Sequence, residues 1–323
     1  MAAPFSVSGK TAIVTGAGSG INLAFAQLLL SRGCNVVFAD IALRPEAKDV
    51  VSQYQGKDGG PRAVWVETDV ASWPALTKMF EVTLAEFGDF DILCPGAGVY
   101  EPQWSNFWHP PGTEASKDDI DGGRYALLDI NITHPIRSTQ MALSYWLHPR
   151  PISGNSKFTV PAKVSLTNPK RVIHISSIAA QLPTFLTPLY GASKHAISGF
   201  VRCLAPLEAD IGVRVNAVAP GVVQTPLWTE QPGKMQILDL TKDVWVTPKE
   251  VAEAMLSCVE SEAYVGGTVL EIGTGQTRQV RIFNDPGPDR KPEHGLGVSN
   301  MNVGKEQIGD WLLDEKIWGA SQK

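Results

Sequence analysis

The sequence lacks a long apolar run, a positively charged start and an excess of basic residues. Nowhere do about 18 apolar residues follow one another, the length that a transmembrane helix needs, and "MAAPFSVSGK" does not resemble a signal peptide. A formal net charge of −5, with Lys and Arg scattered along the chain, argues against a nucleic acid or an acidic membrane as partner. We therefore expect a cytoplasmic protein whose partner is a small molecule.

Cysteine and paired histidine are also scarce. The four cysteines are far apart without any C-x-x-C spacing, and the six histidines include no H-x-x-x-H pair. Zinc sites and small disulfide frameworks depend on such spacings. We predict free, buried thiols and no metal site.

What the chain does contain is a series of short apolar runs at intervals suited to β-α-β units. Segments with helical periodicity, such as residues 21–32 and 73–87, lie between them. Near-continuous apolar strands that alternate with helices indicate a parallel sheet covered on both faces. The sequence predicts an α/β fold with a seven-stranded parallel sheet, built from TAIVTG (11–16), NVVFAD (35–40), AVWVETDV (63–70), DILCPGAG (91–98), RVIHISS (171–177), RVNAVAPG (214–221) and TVLEIGTG (268–275).

Two segments interrupt this pattern, and a third follows it. Residues 100–124 and 148–170 are rich in Pro with Gly, Ser, Asn or Trp, and we predict long surface loops there. The strand pattern ends after Gly275, and neither a repeat nor a linker divides the chain before that point. We predict one domain over residues 1–277, followed by a C-terminal tail over 278–323.

The segment "TAIVTGAGSGIN" runs from an apolar strand through three glycines into a helix. Such a turn lets the backbone approach a pyrophosphate at the positive end of the helix, although a plain tight turn is the alternative. Asp40 ends the second strand twenty residues after Gly20, where a carboxylate can accept hydrogen bonds from an adenosine ribose. Because the same charge repels the 2′-phosphate of NADP, the predicted coenzyme is NAD.

Tyr190 and Lys194 are four residues apart in "LYGASKH". Residues at this spacing share one face of a helix, so the pair is either a phenol beside an ammonium with a chemical role, or one polar face of an ordinary helix. An ammonium about 4 Å from a phenol, at an effective dielectric of about 20, contributes roughly 4 kcal/mol, or about three pKa units. We predict that Lys194 lowers the pKa of Tyr190 toward neutrality, where a general acid/base works best.

Taken together and in order, these motifs resemble the classical short-chain dehydrogenase/reductase family over about residues 9–275. T-G-x-x-x-G spans residues 15–20, Asp-Val spans 69–70, Y-x-x-x-K spans 190–194 and P-G-x-x-x-T spans 220–225. The resemblance implies a single-domain, doubly wound fold of the Rossmann type and a homodimer or homotetramer. Within the family, the chain looks most similar to the hydroxyprostaglandin dehydrogenase-like and hydroxyaverantin dehydrogenase members.

The resemblance also implies the roles of the site residues. Tyr190 exchanges a proton with the substrate, Ser177 orients the substrate oxygen, and Lys194 also holds the nicotinamide ribose. Asn131 anchors a relay water. The cofactor-binding residues expected from the turn and the resemblance are Gly16, Gly18, Ser19, Gly20, Ile21, Asp40, Asp69, Val70, Gly96, Ala97, Tyr190, Lys194, Val223 and Thr225.

Two positions depart from the family pattern. Asn22 stands where the third glycine of the turn is expected, and Pro-Gly-Ala-Gly at residues 95–98 replaces N-N-A-G. We expect Asn22 to crowd the approach of helix and strand, and the bracing of the central strands to come from groups other than the missing amides.

Aromatic residues suggest the class of substrate. Trp104, Phe107, Trp108 and Trp228 are expected near the carboxyl ends of strands, where ligands bind in such sheets; they form an apolar substrate pocket or merely pack the loops. The predicted function is NAD(H)-dependent interconversion of a secondary alcohol and a ketone on an apolar, polyketide- or terpenoid-like metabolite. The alternative is a catalytically silent dinucleotide-binding regulatory protein.

Overall fold

A single sheet forms the centre of the fold. The computed structural model describes residues 4–56, 59–151, 157–230, 235, 243–282, 306 and 309–315. Eight strands pair in the order β3-β2-β1-β4-β5-β6-β7-β8. They are β1 (Thr11–Thr15), β2 (Asn35–Asp40), β3 (Ala63–Glu67), β4 (Ile92–Cys94), β5 (Lys170–Ile175), β6 (Val213–Pro220), β7 (Val269–Gly273) and β8 (Gln276–Gln279).

The first seven strands are parallel, as predicted, but the predicted total of seven is wrong. β8 pairs with β7 in the antiparallel sense, after a turn in which Gly275 has a φ of 68°. All of its residues are exposed and polar, so β8 carries none of the apolar signal on which the prediction depended. This strand extends past residue 277, and the boundary between domain and tail stays a prediction.

Helices cover both faces of the sheet, because successive side chains of a strand point to opposite sides. The helices are α1 (Gly20–Ser31), α2 (Pro45–Gln53), α3 (Trp73–Phe87), α4 (Ala126–Leu128), α5 (His134–Leu147), α6 (Pro188–Cys203), α7 (Pro206–Ile211), α8 (Pro226–Thr229) and α9 (Pro248–Glu260). Ala12 and Val14 of β1 pack in one apolar cluster with α1 and α9, whereas Ile13 packs in a second cluster with α3, α5 and α6. This is the doubly wound arrangement that the sequence predicted.

The loops and the tail lie outside these layers. Residues 100–124 contain neither a helix nor an extended strand, in agreement with the predicted loop. Leu312 of the tail is buried in the cluster of α5, and Nε2 of His148 lies 3.0 Å from its carbonyl oxygen. Leu312 therefore packs beside the end of α5. In the described part of the chain, no helix is both long and apolar enough to cross a membrane.

Candidate active site

The turn between β1 and α1 is packed too closely for side chains at two of its glycines. Gly16 has a φ of 72°, and a Cβ there would lie 2.8 Å from Cα of Ala97. A Cβ on Gly18 would lie 2.3 Å from a carbonyl oxygen of the loop after β2. The side chain of Ser19, the N-cap residue of α1, caps none of the first N–H groups of that helix. The positive end of α1 is thus placed to receive an anion.

A cleft of about 460 Å³ opens at the carboxyl ends of the strands. Three of the predicted catalytic residues and nearly all of the predicted cofactor residues line it; Gly18 and Asn131 do not. Those that line it are Gly16, Ser19, Gly20, Ile21, Asp40, Asp69, Val70, Gly96, Ala97, Ser177, Tyr190, Lys194, Val223 and Thr225. The fold therefore brings together residues that are up to about 200 positions apart in the chain.

Asp40 is held at the end of β2 by the glycine-rich turn. Its Oδ2 accepts a hydrogen bond from the backbone N–H of Gly18 at 2.8 Å, and its Oδ1 accepts one from Ala42 at 3.3 Å. Arg44, the basic residue that follows, donates hydrogen bonds from its two terminal guanidinium nitrogens to the carboxylate of Glu230, just after α8. The carboxylate is fixed at the cleft wall, and the nearby guanidinium already has an anionic partner.

Tyr190 and Lys194 both point from α6 into the cleft. Nζ of Lys194 donates to the carbonyl oxygen of Ile175 at 2.9 Å and lies 5.4 Å from the centroid of the Tyr190 ring. Ser177 ends the extended segment after β5, and its hydroxyl hydrogen-bonds with Tyr190. The two residues of the pair and the serine thus form one contiguous polar group.

The prediction that Lys194 lowers the pKa of Tyr190 is wrong for this structure. Burial raises the pKa of Tyr190 to about 12, and the hydrogen bond from Ser177 opposes that rise only in part. Burial also lowers the pKa of Lys194 to about 8. The prediction weighed the attraction between the two charges and left out the cost of removing the phenolate from water, which is the largest cause of the shift here.

Asn131 braces the site from behind. It lies in a π-helical turn, Asp129–Thr133, between α4 and α5, and such turns are frequent at functional sites. Its Oδ1 accepts from the N–H of Val99, and its Nδ2 donates to the carbonyl of Val99 and to Oγ of Ser193. The side chain connects the loop after β4 with α6; the predicted relay water stays a prediction.

The predicted aromatic residues fall into two groups, one that lines the cleft and one that is largely exposed. Trp104 and Trp228 line the cleft, whereas Phe107 and Trp108 are about half exposed. Sequence reasoning missed Tyr100, whose ring centroid lies 4.7 Å from that of Tyr190 and 4.9 Å from that of Trp228. No motif marks Tyr100, although its place directly after the strand-end segment "PGAGV" gave a weak signal.

Asn22 and Gly96 occupy one shared space. A Cβ on Gly96 would lie 2.2 Å from Oδ1 of Asn22, and its three nearest atoms would all belong to the Asn22 side chain. Asn22 is buried, and its Oδ1 accepts a long hydrogen bond from Sγ of Cys94 in β4. The two departures from the family pattern are therefore coupled, since the amide at position 22 fills the space left by a glycine at position 96.

Comparisons with known proteins agree with this geometry. The chain matches the model of the short chain dehydrogenase family over residues 10–156 and 161–236. It is 30% identical to cis-4-hydroxycyclohexanecarboxylate dehydrogenase of Sinomonas cyclohexanicum, over 83% of this chain and 96% of that protein. It is 29% identical to the bovine (Bos taurus) 15-hydroxyprostaglandin dehydrogenase [NAD(+)], over 84% and 93% respectively. A putative 2-deoxy-D-gluconate 3-dehydrogenase from Agrobacterium tumefaciens, crystallised with NADP, superimposes with a TM-score of 0.60 at 26% identity, over 84% of this chain and 98% of that one.

Proposed function

Because the chain belongs to the classical short-chain dehydrogenase/reductase family, we propose that it is an NAD(H)-dependent enzyme that interconverts a secondary alcohol and a ketone on an apolar, polyketide- or terpenoid-like metabolite. Oxidoreductase activity on CH–OH groups follows from the family itself. The observation that carries the finer proposal is the convergence of Ser177, Tyr190 and Lys194 on the cleft that also contains the glycine-rich turn and Asp40.

The residues of the cleft fit a nicotinamide dinucleotide. The glycine-rich turn and the start of α1 would hold the pyrophosphate, Asp40 the adenosine ribose, and Lys194 the nicotinamide ribose. Asp69 and Val70 would lie beside the adenine, Gly96 and Ala97 along the middle of the coenzyme, and Val223 and Thr225 near the carboxamide. NAD, when bound, supplies a hydride acceptor. The remaining chemistry is proton transfer at the substrate oxygen, which Ser177 would hold. Tyr190, protonated near neutral pH because burial raises its pKa, would donate its proton to the ketone oxygen in reduction, and its phenolate form would take the hydroxyl proton of the alcohol in oxidation.

NAD is favoured over NADP by the charges around Asp40. A carboxylate held by two backbone N–H groups is placed to accept hydrogen bonds from ribose hydroxyls and to repel a phosphate. Arg44 is the cation that would neutralise such a phosphate, and it is paired with Glu230 instead.

The substrate is proposed to be apolar because of what lines the cleft. Tyr100 and Trp228 contact each other beside the phenol of Tyr190, and Trp104 lies in the same cleft. Among the described lining residues, Lys194 is the only cation, so a substrate carboxylate or phosphate would find no second positive partner. This supports an uncharged, largely apolar secondary alcohol.

Purified protein tests the proposal with a panel of secondary alcohols and ketones, offered with each coenzyme. We expect turnover of bulky alicyclic or aromatic alcohols with NAD, with Tyr190→Phe as the inactive control. If the protein is instead a catalytically silent dinucleotide-binding protein, we expect tight binding of NADH and no turnover of any compound with either coenzyme.

Self-association and a cytoplasmic location also remain proposals. Ala192, Ala196 and Gly199 form an exposed strip of small residues along α6, which permits close packing against a second copy of the helix. Light scattering at micromolar concentration should give the mass of a dimer or tetramer; a monomer would contradict this proposal.

A further inference from the structure

A buried carboxylate from another segment caps the helix that carries Tyr190 and Lys194. Thr187, the N-cap residue of α6, makes no cap with its side chain. Oε2 of Glu101 instead accepts a hydrogen bond from the backbone N–H of Tyr190 at 2.8 Å, and the N–H of Leu189 also donates to this carboxylate. The first N–H groups of a helix lack partners within it, and the helix dipole favours a negative charge there.

The same carboxylate fixes the loop after β4. Its Oε1 accepts from the backbone N–H of Phe107 at 3.1 Å, and the carbonyl of Glu101 accepts from Nδ2 of Asn106 at 3.2 Å. One side chain therefore joins the start of α6 to the loop that carries Tyr100, whose ring contacts that of Tyr190, and Trp104, which lines the cleft.

The backbone of Glu101 is also unusual. With a φ of 28°, Glu101 is the one non-glycine residue in the described part of the chain that has a positive φ. Strained backbone of this kind persists where surrounding contacts enforce it, and it is concentrated at functional sites. Here those contacts are the hydrogen bonds to the buried carboxylate, which is 4% exposed.

We propose that Glu101 is a positioning residue: by holding both the backbone of Tyr190 and the loop that carries Tyr100, it sets the position of the Tyr190 phenol relative to the ring of Tyr100. Tyr100 and Tyr190 are in edge-to-face contact, and the hydroxyl of Tyr100 hydrogen-bonds with Thr187 beside the same helix start. If the carboxylate moved, the phenol of Tyr190 and the ring of Tyr100 would be displaced together. This inference rests on the proposed function, because it assigns Glu101 to the proton-transfer step.

Glu101→Gln tests the role, with Glu250→Gln as the matched control. The glutamine keeps the size of the side chain but replaces one acceptor oxygen with a donor that faces an N–H group. Glu250 is a second glutamate that caps a helix, since it accepts from the N–H of Thr247 at the start of α9. It also accepts from the N–H of Gly275 in the turn between β7 and β8, away from the cleft. Cap loss as such is therefore present in both variants.

We expect Glu101→Gln to lower kcat for the best alcohol of the panel by about ten- to a hundredfold, because a misplacement of about 1 Å has an effect of that size. NADH affinity should stay within about twofold, and Glu250→Gln should retain wild-type kcat. Should Glu101→Gln fail to fold, Glu101→Asp retains the charge with a shorter reach and should show the same division between kcat and NADH binding. Wild-type kcat in folded Glu101→Gln or Glu101→Asp would overturn the proposal.

A second readout does not depend on turnover. The sequence contains six tyrosines, so fluorotyrosine labelling gives a simple ¹⁹F NMR spectrum in which Tyr190→Phe and Tyr100→Phe assign two signals. Both signals should move in Glu101→Gln and stay in place in Glu250→Gln. If the wild-type protein turned over no compound, the proposed function would fail while this spectrum still tested Glu101; an unmoved Tyr190 signal would overturn the positioning role.

Discussion

The shared space of Asn22 and Gly96 gives a prediction that needs no substrate. Gly96→Ala would place a methyl group 2.2 Å from Oδ1 of Asn22. Non-bonded contacts between heavy atoms are optimal at about 3.5–4.0 Å, so Asn22 would have to move by about 1 Å or more. Because Asn22 is buried, we expect the overpacking to lower the free energy of unfolding by about 1–3 kcal/mol.

The clash should disappear when the amide is removed. Asn22→Ala deletes Oδ1, Cγ and Nδ2, which are the three atoms nearest to the new methyl group. In that background Gly96→Ala should cost less than about 0.5 kcal/mol, so the two substitutions should show a coupling energy of about 1–3 kcal/mol. Gly221→Ala is the control, since its Cβ would meet its nearest neighbour, Cγ2 of Val246, at an ordinary 3.5 Å.

Denaturant unfolding of the wild type, both single variants and the double variant measures the cycle. A parallel thermal scan should show a fall in Tm of about 2–4 °C for each kcal/mol in Gly96→Ala alone. If Gly96→Ala were equally destabilising with and without the Asn22 amide, the strain would lie elsewhere. The inference that this amide fills the space beside Gly96 would then be refuted.

Three further outcomes are expected. Tyr190→Phe should abolish turnover while NADH affinity, followed by fluorescence titration, stays within a few-fold, whereas Lys194→Met should damage both; substantial activity in Tyr190→Phe would remove the phenol from proton transfer. Glu230→Gln should free Arg44 and raise kcat/KM for NADP by about two- to tenfold with little change for NAD, and an unchanged ratio would show that the ion pair does not restrain coenzyme choice. Burial lowers the pKa of His134 to about 4 and that of His174 to about 3. Their contribution to stability is therefore complete above about pH 6.5, and it is lost as the pH falls toward those values, by up to about 1.4 kcal/mol per histidine for each pH unit. Thermal melts between pH 7 and 5 should show a smaller change of Tm with pH for His174→Gln than for the wild type.

The fold was predictable where the apolar signal is strong. β1 through β7 are largely apolar runs whose neighbours have helical periodicity, and a parallel sheet covered by helices is the arrangement that buries most of their residues. β8 was missed because it is polar, exposed and only four residues long. The segment 192–210, which reads as one helical stretch, is divided between α6 and α7, since Pro206 begins a new helix and cannot continue the previous one.

The site was predictable where spacing along the chain fixes geometry. The turn from Gly16 to Gly20 and the pair Tyr190 and Lys194 are local motifs, and the fold brings both to one cleft. Asn22 and Gly96 appeared as two separate departures, because nothing in a single sequence shows that residues 74 positions apart share one space. Glu101 carried no signal for the same reason.

The direction of the pKa shift of Tyr190 could not be predicted from the local sequence. The i, i+4 spacing places a cation near the phenol, and from that contact alone a lowered pKa follows. The groups that surround the phenol come from elsewhere: Tyr100 from the loop after β4 and Ser177 from the segment after β5. Burial by such distant segments raises the pKa, so the sign of the shift depends on tertiary contacts that no local spacing encodes. It follows that Tyr100→Ala, which removes a ring packed against that of Tyr190, should lower the pKa of Tyr190, and ¹⁹F titration of this variant against the wild type measures that shift; a pKa that stayed the same or rose would contradict burial as its cause.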